Sequence, residues 1–202
     1  MEKMEKSDRK QEILSAAIDL FGEKGFSRTP TSLIARKANV AEGLIFHYFK
    51  NKQGILVQIL DDIIEEYLSG MDGASRDPGL TGMEVVEKFI RFHFELRERR
   101  EKAIAVLHRE LVSDIIAPGS EASEFLMAKW NKILEILKQA LLKGREDGTI
   151  RDLPADATVL LIRGALMGVS NLYRYLPNIP NLQDMPDALV QFVRRSISSN
   201  VN

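Results

Sequence analysis

The sequence contains no cysteine. Disulfides and thiolate metal sites are therefore excluded, and a reducing compartment is compatible with the composition. Long hydrophobic runs are also missing. No apolar stretch approaches the ~18 residues that mark a membrane-spanning helix, so no membrane span is expected. The first ten residues are charged and lack an apolar segment, so no secretory signal is visible and a cytoplasmic location is expected. Only three histidines and one tryptophan occur. Charge of one sign is scarce as well: 28 Lys and Arg stand against 29 Asp and Glu, a net charge of -1. No global basicity marks the chain as a nucleic-acid binder.

Catalytic signatures are missing too. Glu-x-x-His, His-Glu-x-x-His, a Gly-rich phosphate loop and a serine-centred nucleophile motif do not occur. His93 and Glu95, like His108 and Glu110, are two residues apart and diverge on a helix. No catalytic site, metal site or cofactor is therefore expected. A helical enzyme, a small-molecule-binding protein without DNA binding, or a helical adaptor stands as the alternative to the reading below; each would leave the N-terminal pattern unexplained.

What is present is helical periodicity. The chain has 202 residues, 45% of them hydrophobic, enough for one large domain or a small one plus a larger one. Strand-like alternation and internal repeats are not found. Gln11 to Lys24 places Ile13, Leu14, Ala17, Ile18, Leu20 and Phe21 on one stripe, with Gly25 as the residue that ends the helix. Thr29 and Pro30 read as a cap followed by a first helical position. A short helix runs from there to Lys37 or Ala38, Asn39 tolerates the turn, Val40 plugs it, and a second short helix spans about 41–49. Further helices are expected at 53 to about 68, 83–100, 103–116, 121–146, 155–176 and 186–197, with a loop at 69–81. The fold class is thus all-α with about nine helices. The composition shifts near residue 52, dividing a head (1–52) from a body (53–202). The head carries ten Lys and Arg against seven Asp and Glu, and the body 18 against 22.

Phe46, His47, Tyr48 and Phe49 are consecutive. Four successive rings on a helix cannot all face a core, because neighbours point about 100° apart. Ile45 and Phe49, four apart, are the pair expected inside. Phe46 and His47 then face outward. Two short helices joined by Lys37-Ala38-Asn39-Val40 also fit a helix-turn-helix, with Ile34, Ala35, Ala38, Val40, Ile45 and Phe49 locking the pair.

Read together, Ile13-Leu14, Ala16-Ala17, Leu20-Phe21, Gly25-Phe26, Thr29, Ile34-Ala35, Ala38, Val40, Glu42-Gly43, Tyr48-Phe49 and Lys52 resemble the TetR/AcrR family of bacterial repressors. The resemblance covers roughly the first 55 residues. It implies a three-helix DNA-binding head, a larger ligand-binding body, and a homodimer joined through the last two helices (155–176 and 186–197). It implies double-stranded DNA as partner, a palindromic operator, and release by an effector; the aromatic and Met residues of the body suggest that this is a moderately apolar small molecule.

On that basis Glu42, Gly43, Leu44, Phe46, His47 and Lys50 belong to the DNA-facing surface, with Tyr48 and Lys52 toward phosphates. Thr29, Thr31, Ser32 and Arg36 join them from the preceding helix. For Thr31 and Ser32 helix capping is the equal alternative, and Arg28 and Arg36 suit backbone contacts or solvent. The sequence departs from the family at Asn39 (usually Gly), Ala41 (usually Ser or Thr), Leu44 (often Thr) and Phe46 (often Tyr). In the body, Phe89, His93, His108, Met127, Trp130, Met167 and Tyr173 are pocket candidates, because aromatic and Met side chains with a few polar tips line apolar pockets. A plain core would contain the same residue types. Gly164, Ala165, Gly168 and Ser170 suit a close helix–helix seam, within the chain or between subunits.

Overall fold

The computed structural model describes residues 2–110, 119–175 and 184–199, with side chains left out at 2–7, 107–110 and 173–175. The described residues form nine helices: α1 (Glu2–Lys24), α2 (Thr31–Lys37), α3 (Glu42–Phe49), α4 (Lys52–Arg76), α5 (Gly82–Arg99), α6 (Glu101–Glu110), α7 (Glu121–Glu146), α8 (Ala155–Tyr175) and α9 (Met185–Ile197). Among the described residues, β-structure is limited to one isolated bridge between Ile150 and Ser198. The chain divides into two compact units: 1–64 with 100–128, and 65–99 with 129–202.

In the first unit the core is the stripe expected from the sequence. Ile13, Leu14, Ala17, Leu20 and Phe21 of α1 are buried with Ile34 and Ala35 of α2 and Ile45 and Phe49 of α3. Each such large side chain contributes about 1.5–3 kcal/mol on leaving water. Ile18, expected inside, is only half-buried, as is Leu33 of α2. Gly25 ends α1 at φ +82°, its N–H returning to the Phe21 carbonyl, so the left-handed stop is present. Helix α1 starts well before Gln11, because its polar opening is rich in Glu and Lys, which favour helix without an apolar stripe to advertise it.

Helix α4 departs most from expectation. It does not stop near Leu68 but continues to Arg76, through Ser69, Gly70, Gly73 and Ser75. Ser69 and Ser75 donate their hydroxyls back to the carbonyls of Glu65 and Asp72, and Arg76 pairs with Asp72 one turn back. Gly70 is a contact residue rather than a breaker: a Cβ there would lie 2.1 Å from the Phe92 ring. The buried stripe of α4 runs Ile55, Leu56, Ile59, Leu60, Ile63, Ile64, Tyr67 and Met71 without a break in helical register.

In the second unit, α5 packs against α8 and α9. Ion pairs Arg91–Asp187 (2.5 Å) and Arg194–Glu87 (2.5 Å) flank the α5–α9 contact. The start of α5 crosses the end of α7 on bare backbone: a Cβ at Gly82 would meet the Gly144 nitrogen at 2.0 Å and the Ala140 carbonyl oxygen at 2.4 Å. The Gly82 N–H donates to Asp147 at 2.7 Å, and Gly148, at φ +77°, makes the turn after α7. Helix α8 alone among the described helices is long and apolar enough to cross a membrane by length and composition, a point the search for unbroken apolar runs missed. It carries Arg163 at its centre and leaves Leu160, Leu161 and Leu172 exposed.

Gly82→Ala is expected to lower stability by about 1–3 kcal/mol, because backbone cannot swing aside as a side-chain tip can. Gly70→Ala, opposed only by the movable Phe92 ring, should cost less. Chemical denaturation of the two variants checks the order.

Candidate nucleic-acid interface

Local sequence sets up the α2–α3 pair closely. Asn39 takes φ +54° between the helices, and the Val40 N–H returns to the Ala35 carbonyl at 3.0 Å. Asn and Asp reach this left-handed region more readily than most residues. Neither helix has a side-chain cap: Pro30 precedes α2 and Ala41 precedes α3. The Thr31 hydroxyl instead crosses to the Glu42 carboxylate at 2.6 Å, linking the first residue of α2 to the first of α3. Ser32 is exposed.

Thr29 requires correction. It is neither a cap nor on the surface. Its side chain is fully buried, and its hydroxyl donates to the Gly25 carbonyl at 2.8 Å. A side chain with no exposure has nothing to offer a phosphate, so Thr29 is a structural hydrogen bond joining the α1–α2 turn. Arg28 also turns inward to the chain: its Nε donates to the Lys24 carbonyl at 2.8 Å, closing the last turn of α1.

On α3, burial of Ile45 (0% exposed) and Phe49 (5%) leaves Phe46 49% exposed and His47 exposed beside it. Glu42, Gly43 and Lys50 are exposed; Leu44 and Tyr48 are half-buried. The Tyr48 ring meets His47 edge-on at 5.2 Å and Phe49 at 6.1 Å, so three consecutive rings brace one another. Beyond its chain neighbours and the backbone of its own helix, nothing lies within 4 Å of where a Gly43 Cβ would sit. Packing therefore does not demand glycine at 43, and the surface there stays low.

The exit from α3 is equally determined. Lys50 adopts φ +64°, the Asn51 side chain caps α4 by accepting the Gly54 N–H at 2.8 Å, and a Gly54 Cβ would stand 2.0 Å from the Phe49 carbonyl oxygen. Lys52 has a structural bond: its Nζ donates to the Phe26 carbonyl at 2.9 Å and lies 4.4 Å above the Phe26 ring. Lys37, at the end of α2, pairs with Asp19 at 3.2 Å, and Asp19 also accepts from Lys102 at 2.6 Å. The bonded Lys102 ammonium, aided by Lys37, holds the Asp19 carboxyl below its ordinary value. Arg36 is exposed on α2.

The pocket candidates do not all come together. Phe89 and His93 are buried in the second unit and both lie against Tyr67, at ring distances of 5.4 and 6.1 Å. His93 Nε2 and the Ser170 hydroxyl are 2.8 Å apart. Trp130 and Met167 are half-buried in that unit. Met127 is 51% exposed and belongs to the first unit. The side chains of His108 and Tyr173 lie outside the described residues. Sequence reasoning missed Tyr67 and Arg163. The available signal was a single arginine in the middle of the apolar run Leu160–Val169.

Two short helices across a left-handed Asn turn, the second presenting aromatic and basic side chains outward, define a helix-turn-helix regulator that binds DNA. Residues 13–59 match the family described as bacterial regulatory proteins, tetR family. The chain is similar to the fatty acid metabolism regulator protein of Bacillus subtilis, 27% identical over 148 residues, covering 73% of this chain and 74% of that one. It is also similar to the transcriptional repressor KstR2 of Rhodococcus jostii, 25% identical over 173 residues, covering 84% and 81%. Among solved structures, FadR from Bacillus subtilis in complex with stearoyl-CoA superposes with a TM-score of 0.79 at 23% identity, covering 91% of this chain and 96% of that one.

Gly43→Ala is expected to leave stability equal or raised, by up to about 1 kcal/mol of helix propensity, while weakening DNA binding, since the added methyl raises the low surface. Thr29→Val should do the reverse: a loss of about 1 kcal/mol with DNA affinity unchanged well below the melting temperature. Thermal melts paired with DNA titrations separate the two.

Proposed function

We propose that the protein is a ligand-released repressor. It acts as a homodimer on a roughly two-fold operator, with residues 1–52 as the DNA-binding part and 53–202 as the effector-binding and dimerisation part. The observation that carries the reading is the outward face of α3, where Phe46 and His47 are exposed because Ile45 and Phe49 are not. Those rings, with Gly43 and Leu44, enter the major groove. Tyr48, Lys50, Lys52, Ser32 and Arg36 meet the backbone, where contacts position the protein without choosing bases. Thr31 and Glu42 hold each other and shape the leading end of the helix.

The dimer forms through α8 and α9. Leu161 (74% exposed), Gly164, Gly168 and Leu172 recur on one face of α8, and Phe192 of α9 is 65% exposed. Leu161 and Phe192 also line one groove of about 310 Å³. An apolar stripe with small residues at its centre suits close approach of a second copy. Half-sites on one face of DNA lie ~34–36 Å apart, and a single head makes too few contacts for tight binding.

The effector is a molecule with a long apolar part. A regulator of fatty acid metabolism and a stearoyl-CoA complex among the similar proteins support this class. Its place is the interior of the second unit beside Tyr67 and Phe89. Helix α4 contributes residues to both units, so a ligand that favours one position of the Tyr67–Met71 segment shifts the DNA-competent population. The site of action is the cytoplasm, where bacterial DNA lies.

Sedimentation should give a dimer at micromolar concentration, and Leu161→Lys should give a monomer with at least a tenfold loss of operator affinity. Stearoyl-CoA should release the wild-type protein from DNA fragments selected by the protein itself. A monomer that binds DNA as tightly as the wild type, or DNA binding indifferent to stearoyl-CoA at tens of micromolar, overturns the dimeric or the ligand-released part respectively.

A further inference from the structure

Arg163 lies at the centre of α8 and is only 4% exposed. Its guanidinium carbon stacks 4.4 Å from the Trp130 ring centre. The Tyr67 hydroxyl lies beside it, close enough for charge attraction and a loose hydrogen-bonding contact that falls short of full hydrogen-bond geometry, and Arg163 Nη2 has no acceptor among the described residues. No carboxylate of the described residues pairs with Arg163. Burial pulls the guanidinium below its ordinary value and pushes the Tyr67 phenol up, so the pair is a cation beside a neutral hydroxyl. Arginine does not give up its proton inside proteins, so deprotonation offers no relief. A buried, uncompensated cation costs several kcal/mol, and a fold normally supplies it with an anion or replaces it by an apolar residue.

The surroundings say what kind of anion fits. Tyr67 stands among Phe89 and Phe92, with ring centres 5.4 Å away in each case. The surroundings are mostly aromatic, with the His93 ring 6.1 Å from Tyr67, and two of the polar groups there can donate: Nη2 of Arg163 and the hydroxyl of Tyr67. Donors of this kind converge on an oxygen anion carried by an apolar body. A guanidinium fork matches a carboxylate in particular.

We infer that Arg163 and Tyr67 form the carboxylate-binding point of the effector site, and that the effector is an apolar carboxylic acid or a thioester that carries such a carboxylate at its far end. The inference rests on the ligand-released reading above and adds the chemistry of the buried end. A plain saturated acyl chain can still bind through its apolar surface but leaves the cation without an anion, and a ligand with a carboxylate at that end neutralises it and binds tighter. Such a ligand also gains from the contact more than it would in water, because both side chains are buried.

The chain has one tryptophan, and it is the ring under this cation, so its emission reports the site directly. The test titrates dodecanoate and dodecanol, below micelle-forming concentrations, into wild-type protein and the Arg163→Met, Arg163→Lys and Tyr67→Phe variants, following Trp130 emission and, in parallel, heat. In the wild type dodecanoate should bind at least about tenfold tighter than dodecanol, as for a close charge pair. The preference should vanish in Arg163→Met, persist in part in Arg163→Lys, and weaken in Tyr67→Phe. Without ligand, Arg163→Met should melt no lower than the wild type, since it removes an unpaired buried charge; an arginine kept for structure would give a clear drop. Equal binding of the acid and the alcohol, or a preference that survives in Arg163→Met, overturns the inference. Should Arg163→Met fail to fold, the structural role is favoured and the inference falls unless Tyr67→Phe and Arg163→Lys still reduce the preference. To separate the two sources of carboxylate, dodecanoate is compared with the coenzyme A thioester of dodecanedioic acid; the tighter of the two identifies the source. The two readings fail separately. Stearoyl-CoA releasing DNA while dodecanoate shows no preference sinks this inference alone; an Arg163-dependent preference with no ligand effect on DNA sinks the other alone.

Discussion

Burial of Ile45 and Phe49 is the constraint on which the outward face of α3 depends. They are one helical turn apart on α3, and both must enter the core that α1 and α2 provide. Once they do, the helix has no remaining rotational freedom, and Phe46 and His47 face outward as a matter of geometry. The corners on either side hold that orientation. Asn39 turns the chain in, Lys50 turns it out, and Gly54 lets the next helix begin against the Phe49 carbonyl. The Lys52 ammonium ties this exit back to the Phe26 carbonyl in the α1–α2 turn. That outward face is thus carried by a helix of eight residues that could not stand alone; isolated helices of that length are unstable in water.

The second unit follows a different logic. Its helices approach closely where glycine allows it, at Gly82 over Gly144 and at Gly70 under Phe92. Its interior holds polar groups that a purely structural core would not need: His93 with Ser170, and Arg163 over Trp130 beside Tyr67. Cores tolerate such groups when they are satisfied, and a guanidinium nitrogen without an acceptor is a standing cost. Hydrophobic burial elsewhere in α5, with Val85, Val86, Phe89 and Ile90 all buried, offsets it.

The head was legible in the sequence because several independent signals agreed there. The apolar stripe of α1, the small residues at the α2–α3 turn and the aromatic run each demanded the same arrangement. The body was legible only as helices. Ser69, Gly70, Gly73 and Ser75 carried a loop-like composition, yet α4 runs through them, because serine hydroxyls can bond back to the preceding turn and Gly70 answers a ring from another helix. No local pattern carries that information. Thr29 failed for a similar reason: a threonine before a proline reads as a cap, and only tertiary contact reveals that its hydroxyl is spent on the Gly25 carbonyl. The pocket candidates were chosen by residue type, which gathers Phe89, His93 and Trp130 but also Met127, and passes over the arginine whose burial is the informative fact.

Helix α4 places eight buried apolar side chains in one register, from Ile55 in the first unit to Met71 in the second. Inserting or deleting one residue between Ile64 and Tyr67 would turn the stripe by about 100° and carry it ~1.5 Å along the axis. Polar neighbours such as Glu65 and Glu66 would then enter the core. Descendants of this chain can change α4 freely by substitution on its outer face, but they can change its length there only by whole turns. Length variation among relatives is accordingly expected to collect in the connections between helices and to avoid this one.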